Sequence, residues 1–278
     1  SSWRTRTIYT ILEAMGEPRG VALVIHGLNL KPERMGPLAD ELRRWGIAVV
    51  LCALRGHGEN YTPLAGCAPD IARLTTFRQV SYTGWRTEVM AAYAAATALA
   101  QPTAAPIFLV AFSLGALLGC ELLVTTPTVH FDRMVLLAPA LALRPHSHLP
   151  ALLGRWPTLA LRSFAPRAYR SNPATPIAAY RALHTALHSL HRYADGKLNV
   201  PTLVLIDPQD ELVSLRGLRR WVQRLHLSQW HFYLVKKEAQ RADLRFHHLM
   251  IDADCVGPTP WQTMLAQIAA HLSMTVNG

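Results

Sequence analysis

A buried strand, one serine and a helix follow each other without a linker between Pro106 and Thr125, and few chain paths accommodate that run. Pro106-Ile-Phe-Leu-Val-Ala-Phe112 is a continuous apolar stretch of strand length, and Leu114 to about Thr125 has helical character. A turn this abrupt strains the backbone at Ser113, so the residues two positions away on either side must be small. Ala111 and Gly115 occupy those positions. The turn lifts the serine hydroxyl to a helix N-terminus, where unpaired N–H groups and the helix dipole favour developing negative charge. Taken alone, the five residues also fit a helix-capping serine in an ordinary turn. The strand before and the helix after favour the exposed, strained serine.

The rest of the chain alternates in the same way. Val21–Ile25 and Ile47–Leu51 are short apolar runs of buried-strand type. Between them a helix is expected over Pro37–Trp45, with Leu38 and Leu42 in register and Gly46 closing it. An irregular stretch is expected from Arg55 to about Tyr82, then an Ala-rich helix from about Gly84 to Leu99. Further strands are expected at Arg133–Ala138, Val200–Ile206 and Trp230–Val235, and a last helix from about Thr259 to Leu272. Continuous apolar strands separated by helices imply an α/β fold, a mostly parallel sheet covered on both faces.

One segment breaks the alternation. Residues 140–199 lie between two strands, yet around Ile177 to Leu190 they carry helical periodicity. A connection this long in a compact domain is usually a functional insertion. The expectation is a helical cap over 140–199, Trp156 packing inside it, on a core made of residues 1–139 and 200–278. From Ala140 to Lys197 there are eight basic residues against Asp195 alone, in a chain of formal net charge +10. Read plainly, this is a solvated Arg-rich face. A sharper reading is a basic region that meets anionic substrates or transiently contacts an anionic lipid surface. No aromatic-interleaved nucleic-acid module accompanies it, so a nucleic-acid partner is not expected.

The elbow Ala111-Phe112-Ser113-Leu114-Gly115, the turn His26-Gly27-Leu28-Asn29 and the turn Arg55-Gly56-His57-Gly58 together resemble the α/β-hydrolase superfamily, in particular its carboxylesterase and lysophospholipase-like members. The resemblance runs from Ala22 to Leu272. The elbow departs from the family's G-x-S-x-G by alanine at 111, a residue small enough for the turn. The resemblance implies that Ser113 is the nucleophile and that the backbone N–H groups of Leu28 and Leu114 form the oxyanion hole. It makes His26 structural and His57 a loop-shaping residue.

The same resemblance implies an acid after the Thr202–Ile206 strand and a histidine before the last helix. Asp210 fits the family's G-x-x-D-x-x-V with Val213, while Asp207 stands at the Gly position and competes as the acid. His247 and His248 are adjacent candidates for the base. His247 lies five residues before Asp252, the spacing seen in related enzymes, and is favoured over His248. The expected order is then Ser113, Asp210, His247. The activity implied is hydrolysis of a carboxylic ester, with a hydrophobic acyl chain favoured by the Leu-rich cap. Acyltransferase and thioesterase activities use the same residues, and a catalytically silent binding protein is the reading from another class.

Neither metal nor organic cofactor is expected. His184, His188 and His191 share a helical face, but no carboxylate or cysteine nearby completes a zinc set. Cys52, Cys67, Cys120 and Cys255 have no metal-like spacing and leave a disulfide or two open. No uninterrupted apolar run reaches the roughly 18 residues that span a bilayer. A soluble protein is therefore expected, its compartment undecided between cytoplasm and periplasm.

Overall fold

The computed structural model describes residues 8–148, 159–163, 165–238 and 246–273. Strands β1 (Tyr9–Leu12), β2 (Gly20–Ile25), β3 (Ile47–Cys52), β4 (Ile107–Phe112), β5 (Arg133–Leu137), β8 (Thr202–Ile206) and β9 (Trp230–Leu234) form one sheet, and β6 (Ala160–Arg162) pairs with β7 (Ala174–Pro176) in a separate hairpin. The large sheet has the order β1-β3-β2-β4-β5-β8-β9 and is parallel except for β1, which runs antiparallel to β3.

Helices cover both faces. On one lie α3 (Tyr82–Ala100), α4 (Leu114–Thr125), α5 (Ile177–Tyr193) and α6 (Leu215–Arg224); on the other lie α1 (Gly36–Arg44), α7 (Ala253–Val256) and α8 (Pro258–Ser273). Another helix, α2 (Pro69–Phe77), falls within the stretch that the sequence reads as irregular. Pro69 in its first turn suits a helix start, and Ala72, Thr76 and Phe77 turn inward to bury.

The central strands are apolar throughout because each face meets a helix layer. In β4, Ile107, Leu109 and Ala111 enter the core on one side while Phe108, Val110 and Phe112 enter the core on the other. Helix α4 is buried on every side from Leu114 to Val124, which explains its lack of a polar stripe.

That burial also changes the expected cap. The helix over Ile177–Tyr193 packs its Ala179, Leu183, Ala186 and Leu190 into the same cluster as α3 and α4. Ser189 Oγ donates to the buried Glu121 carboxylate of α4 at 2.8 Å, and Tyr82 of α3 donates to that carboxylate as well. The helical part of the 140–199 insertion is therefore a core layer; its periodicity marks an apolar face without saying what the face meets. Residues 149–158, with Trp156, lie outside the described residues.

All four cysteines are free thiols, and Cys52, Cys120 and Cys255 are buried. Among the described residues no helix is long and apolar enough to cross a membrane.

Candidate active site

Ser113 links β4 to α4 with φ 51° and ψ −112°, a left-handed backbone that a side-chain-bearing residue rarely adopts. The surroundings hold it there. Ser113 N–H donates to Leu137 O at 2.9 Å, and its carbonyl accepts from Leu117 and Ala140. The first turn of α4 presses on the end of β2 so closely that a Cβ at Gly115 would lie 2.4 Å from Ile25 O and 2.7 Å from His26 O. Only glycine fits this approach. Ala111, at the position where the superfamily pattern has glycine, is fully buried and pairs in register with Ile25, so the extra methyl is accommodated.

The His26–Asn29 turn leaves β2 directly beside the serine. A Cβ at Gly27 would meet the Phe112 ring at 2.6 Å and Ser113 Cβ at 3.3 Å. The turn is shaped from below by two buried histidines. His26 Nδ1 donates to Gly27 O at 2.8 Å while Nε2 accepts from Leu54 N. His57 Nε2 accepts from Asn29 N at 2.9 Å while Nδ1 faces Leu54 O. These contacts require neutral rings. Burial drives His26 down to about 4, and burial together with the neighbouring His26 takes His57 well below the usual histidine value. Asn29 completes the framework: its side chain accepts from Asn172 N and donates to Asn172 O and Thr175 Oγ1, which ties the β7 approach to the turn. The amides of Leu28 and Leu114 have no acceptor among the described residues.

The histidine that reaches Ser113 is His248. Its Nε2 lies 2.8 Å from Ser113 Oγ and its Nδ1 lies 2.8 Å from Asp210 Oδ2. His247, favoured by its spacing to Asp252, is turned away: its Nδ1 meets Asp207 Oδ2 at 2.8 Å. The two rings also differ in exposure, with 31% of the His247 side chain accessible and 6% of His248. Asp252, five residues after His247, accepts from Tyr169 OH at 2.9 Å and caps α7, so its side chain is engaged by the loop and not by either histidine ring.

Asp210 is buried at the end of β8, where its Oδ1 accepts from Leu212 N at 2.8 Å and Val213 N at 2.7 Å. Burial alone would raise its carboxyl, but the His248 imidazole and these two amides outweigh it and hold Asp210 below the ordinary aspartate value. An ionised Asp210 can only accept, so His248 Nδ1 carries the proton and Nε2 is left to accept from Ser113 Oγ–H.

Two positioning residues were not singled out in the sequence. Glu211 accepts from His247 N at 2.9 Å through one oxygen and from His248 N at 3.0 Å through the other, fixing both histidine backbones. Lys237, three residues past β9, donates to Phe246 O at 2.7 Å and to Leu249 O, bracing the His247–His248 segment from its other side. A third carboxylate beside Asp210 in Asp207-Pro-Gln-Asp-Glu211 was the available signal for the first; nothing local marks the second.

Among the described residues no three His, Cys, Asp or Glu side chains stand close enough to hold a metal ion. His191 instead stacks on Trp221 and donates to Leu141 O at 2.8 Å.

A family model described as serine aminopeptidase S33 (Hydrolase_4) matches residues 16–195. The chain belongs to this α/β-hydrolase family. The match includes the His26–Asn29 turn and Ser113 and ends before Asp210 and His248. No curated protein matches the hydrolase in sequence. Solved structures share its fold at low identity. A metagenome-derived lipolytic enzyme described with LipS and LipT is 18% identical with TM-score 0.71, over 98% of this chain and all of that one. A soluble variant of the Saccharomyces cerevisiae monoglyceride lipase is 14% identical with TM-score 0.73, over 95% of this chain and 91% of that one. The Paleococcus ferrophilus monoacylglycerol lipase is 18% identical with TM-score 0.67, over 95% of this chain and 99% of that one.

Proposed function

We propose that this hydrolase cleaves carboxylic esters through an acyl-enzyme on Ser113. The observation that carries the reading is the hydrogen-bonded chain from Ser113 Oγ through His248 to Asp210. Ser113 Oγ attacks the acyl carbon as His248 Nε2 takes its proton, and Asp210 stabilises the resulting imidazolium. The oxyanion is received by the Leu28 and Leu114 amides, each donor being worth about 3–4 kcal/mol of barrier. Collapse expels the alcohol, which takes the proton from His248. A water then gives its proton to His248 and attacks the acyl carbon, and release of the acid restores Ser113 Oγ–H.

An ester with a hydrophobic acyl chain, such as a monoacylglycerol, suits the lipolytic neighbours. Aminopeptidase activity is the second reading, favoured by the description of the family model. A panel of p-nitrophenyl and glyceryl esters of graded chain length, run beside aminoacyl p-nitroanilides, separates the two. Ester turnover that disappears in Ser113→Ala is expected. Anilide turnover without ester turnover supports the peptidase, and failure of Ser113 to react with a fluorophosphonate revives a silent binding protein. Added alcohol acceptors that outcompete water point to an acyltransferase.

A further inference from the structure

Behind the turn that carries Asp207 and Asp210, a cavity of about 520 Å³ is lined by Arg144, Arg216, Arg219 and Arg220 together with Pro208 and Ser214. No acidic side chain lines it. None of the four guanidiniums forms an ion pair with a carboxylate among the described residues. Arg144 Nε is buried there without a hydrogen-bond partner among those residues, and Arg219 lies over the Phe232 ring at 5.6 Å. Three of the four belong to α6, which has no acid in its first turn and starts from the Ser214 cap.

Such an arrangement opposes folding on two counts. Like charges are gathered around one space, and Arg216 sits at the positive end of a helix dipole. An anion in the cavity removes both penalties. Guanidinium forks lining one space offer paired N–H donors to the tetrahedral oxygens of a phosphoryl group.

We propose that this cavity binds a phosphoryl group, free or as a lipid headgroup. The site is separate from the Ser113 centre and does not depend on the ester-hydrolase reading. It shares a wall with the acid turn: Pro208 lines it, Arg144 N donates to Leu212 O at 2.8 Å, and Ser214 N donates to Ala142 O at 2.8 Å.

The test is calorimetric titration with inorganic pyrophosphate at low ionic strength, alongside co-sedimentation with phosphatidylcholine vesicles with and without phosphatidic acid. The purified protein is compared with Arg216→Gln/Arg219→Gln/Arg220→Gln and with Arg78→Gln/Arg181→Gln/Arg192→Gln, a control that loses equal charge elsewhere. Saturable pyrophosphate binding indicates a free phosphate, and binding only to phosphatidic-acid vesicles indicates a headgroup. Either supports the site when the α6 variant loses at least tenfold in affinity and the control changes less than twofold. No saturable binding in either arm, or equal losses in both variants, overturns it. Thermal melts check that both variants fold, and the single exposed change Arg220→Gln is read in the same assays if the triple variant does not.

Discussion

His247 and His248 are neighbours in the chain, yet their rings pair with different aspartates: His248 Nδ1 meets Asp210 and His247 Nδ1 meets Asp207, each at 2.8 Å. One carboxylate, Glu211, holds both backbone amides and so sets the divergence. Only His248 carries its other nitrogen to Ser113.

The pair therefore separates cleanly by mutation. His248→Ala is expected to lower kcat on a p-nitrophenyl ester by about 10⁶-fold, whereas His247→Ala loses less than about tenfold. Steady-state kinetics on both variants checks this, and the reverse pattern would assign the base to His247.

At Ser113 the strained backbone separates activity from stability. Ser113→Ala and Ser113→Gly are both expected to be inactive. Glycine adopts φ 51° without a Cβ penalty, so Ser113→Gly should be more stable than Ser113→Ala by about 1 kcal/mol. Urea denaturation measures the difference, and equal stabilities would mean that the turn relaxes.

Glu211 is a positioning residue, touching neither serine nor imidazole ring. Glu211→Ala leaves two amides of the histidine loop without their acceptor, and hydrogen bonds to a charged group are worth about 1.5–3 kcal/mol. The expectation is a kcat lowered about 10- to 100-fold with KM little changed, and Glu211→Gln recovering part of it. A variant with wild-type kcat would show that the loop holds its shape without the clamp.

Stability should fall on acidification, and the sign follows from the buried histidines. His26 is held near 4 against an ordinary 6.5, and His57 is held well below 6.5, so the unfolded chain binds protons that the folded protein refuses. Folding is then unopposed above pH 6.5 and loses about 1.4 kcal/mol per pH unit for each group as pH falls from there toward 4. Asp210, whose folded value is depressed, acts in the same direction, its contribution being lost as pH falls through that value. Thermal melts across pH 4–7 measure the slope. His57→Gln should flatten it, and an unchanged slope would remove His57 from the account.

Much of the fold was legible in the chain. Helix α4 over Leu114–Thr125 falls where the strand–serine–helix run places it, and the β4, β5 and β9 runs agree to within a residue at their ends. The elbow is legible because its constraint is local: a strand–serine–helix turn excludes bulk within two residues, and Ala111 and Gly115 record that exclusion. The mostly parallel sheet behind it was legible from apolar runs long enough to be buried on both faces, whereas the order of its strands was not.

What the chain by itself does not determine is which distant groups meet. Ser113 and His248 are 135 positions apart, and the choice between two adjacent histidines rests on Glu211, Lys237 and the Tyr169–Asp252 bond closing the loop in one orientation. Periodicity likewise showed that Ile177–Tyr193 has an apolar face, but only packing against α3 and α4 made it core instead of cap. Local sterics are written in neighbouring residues. Partner choice is decided by long-range contacts that exist only once the chain has closed.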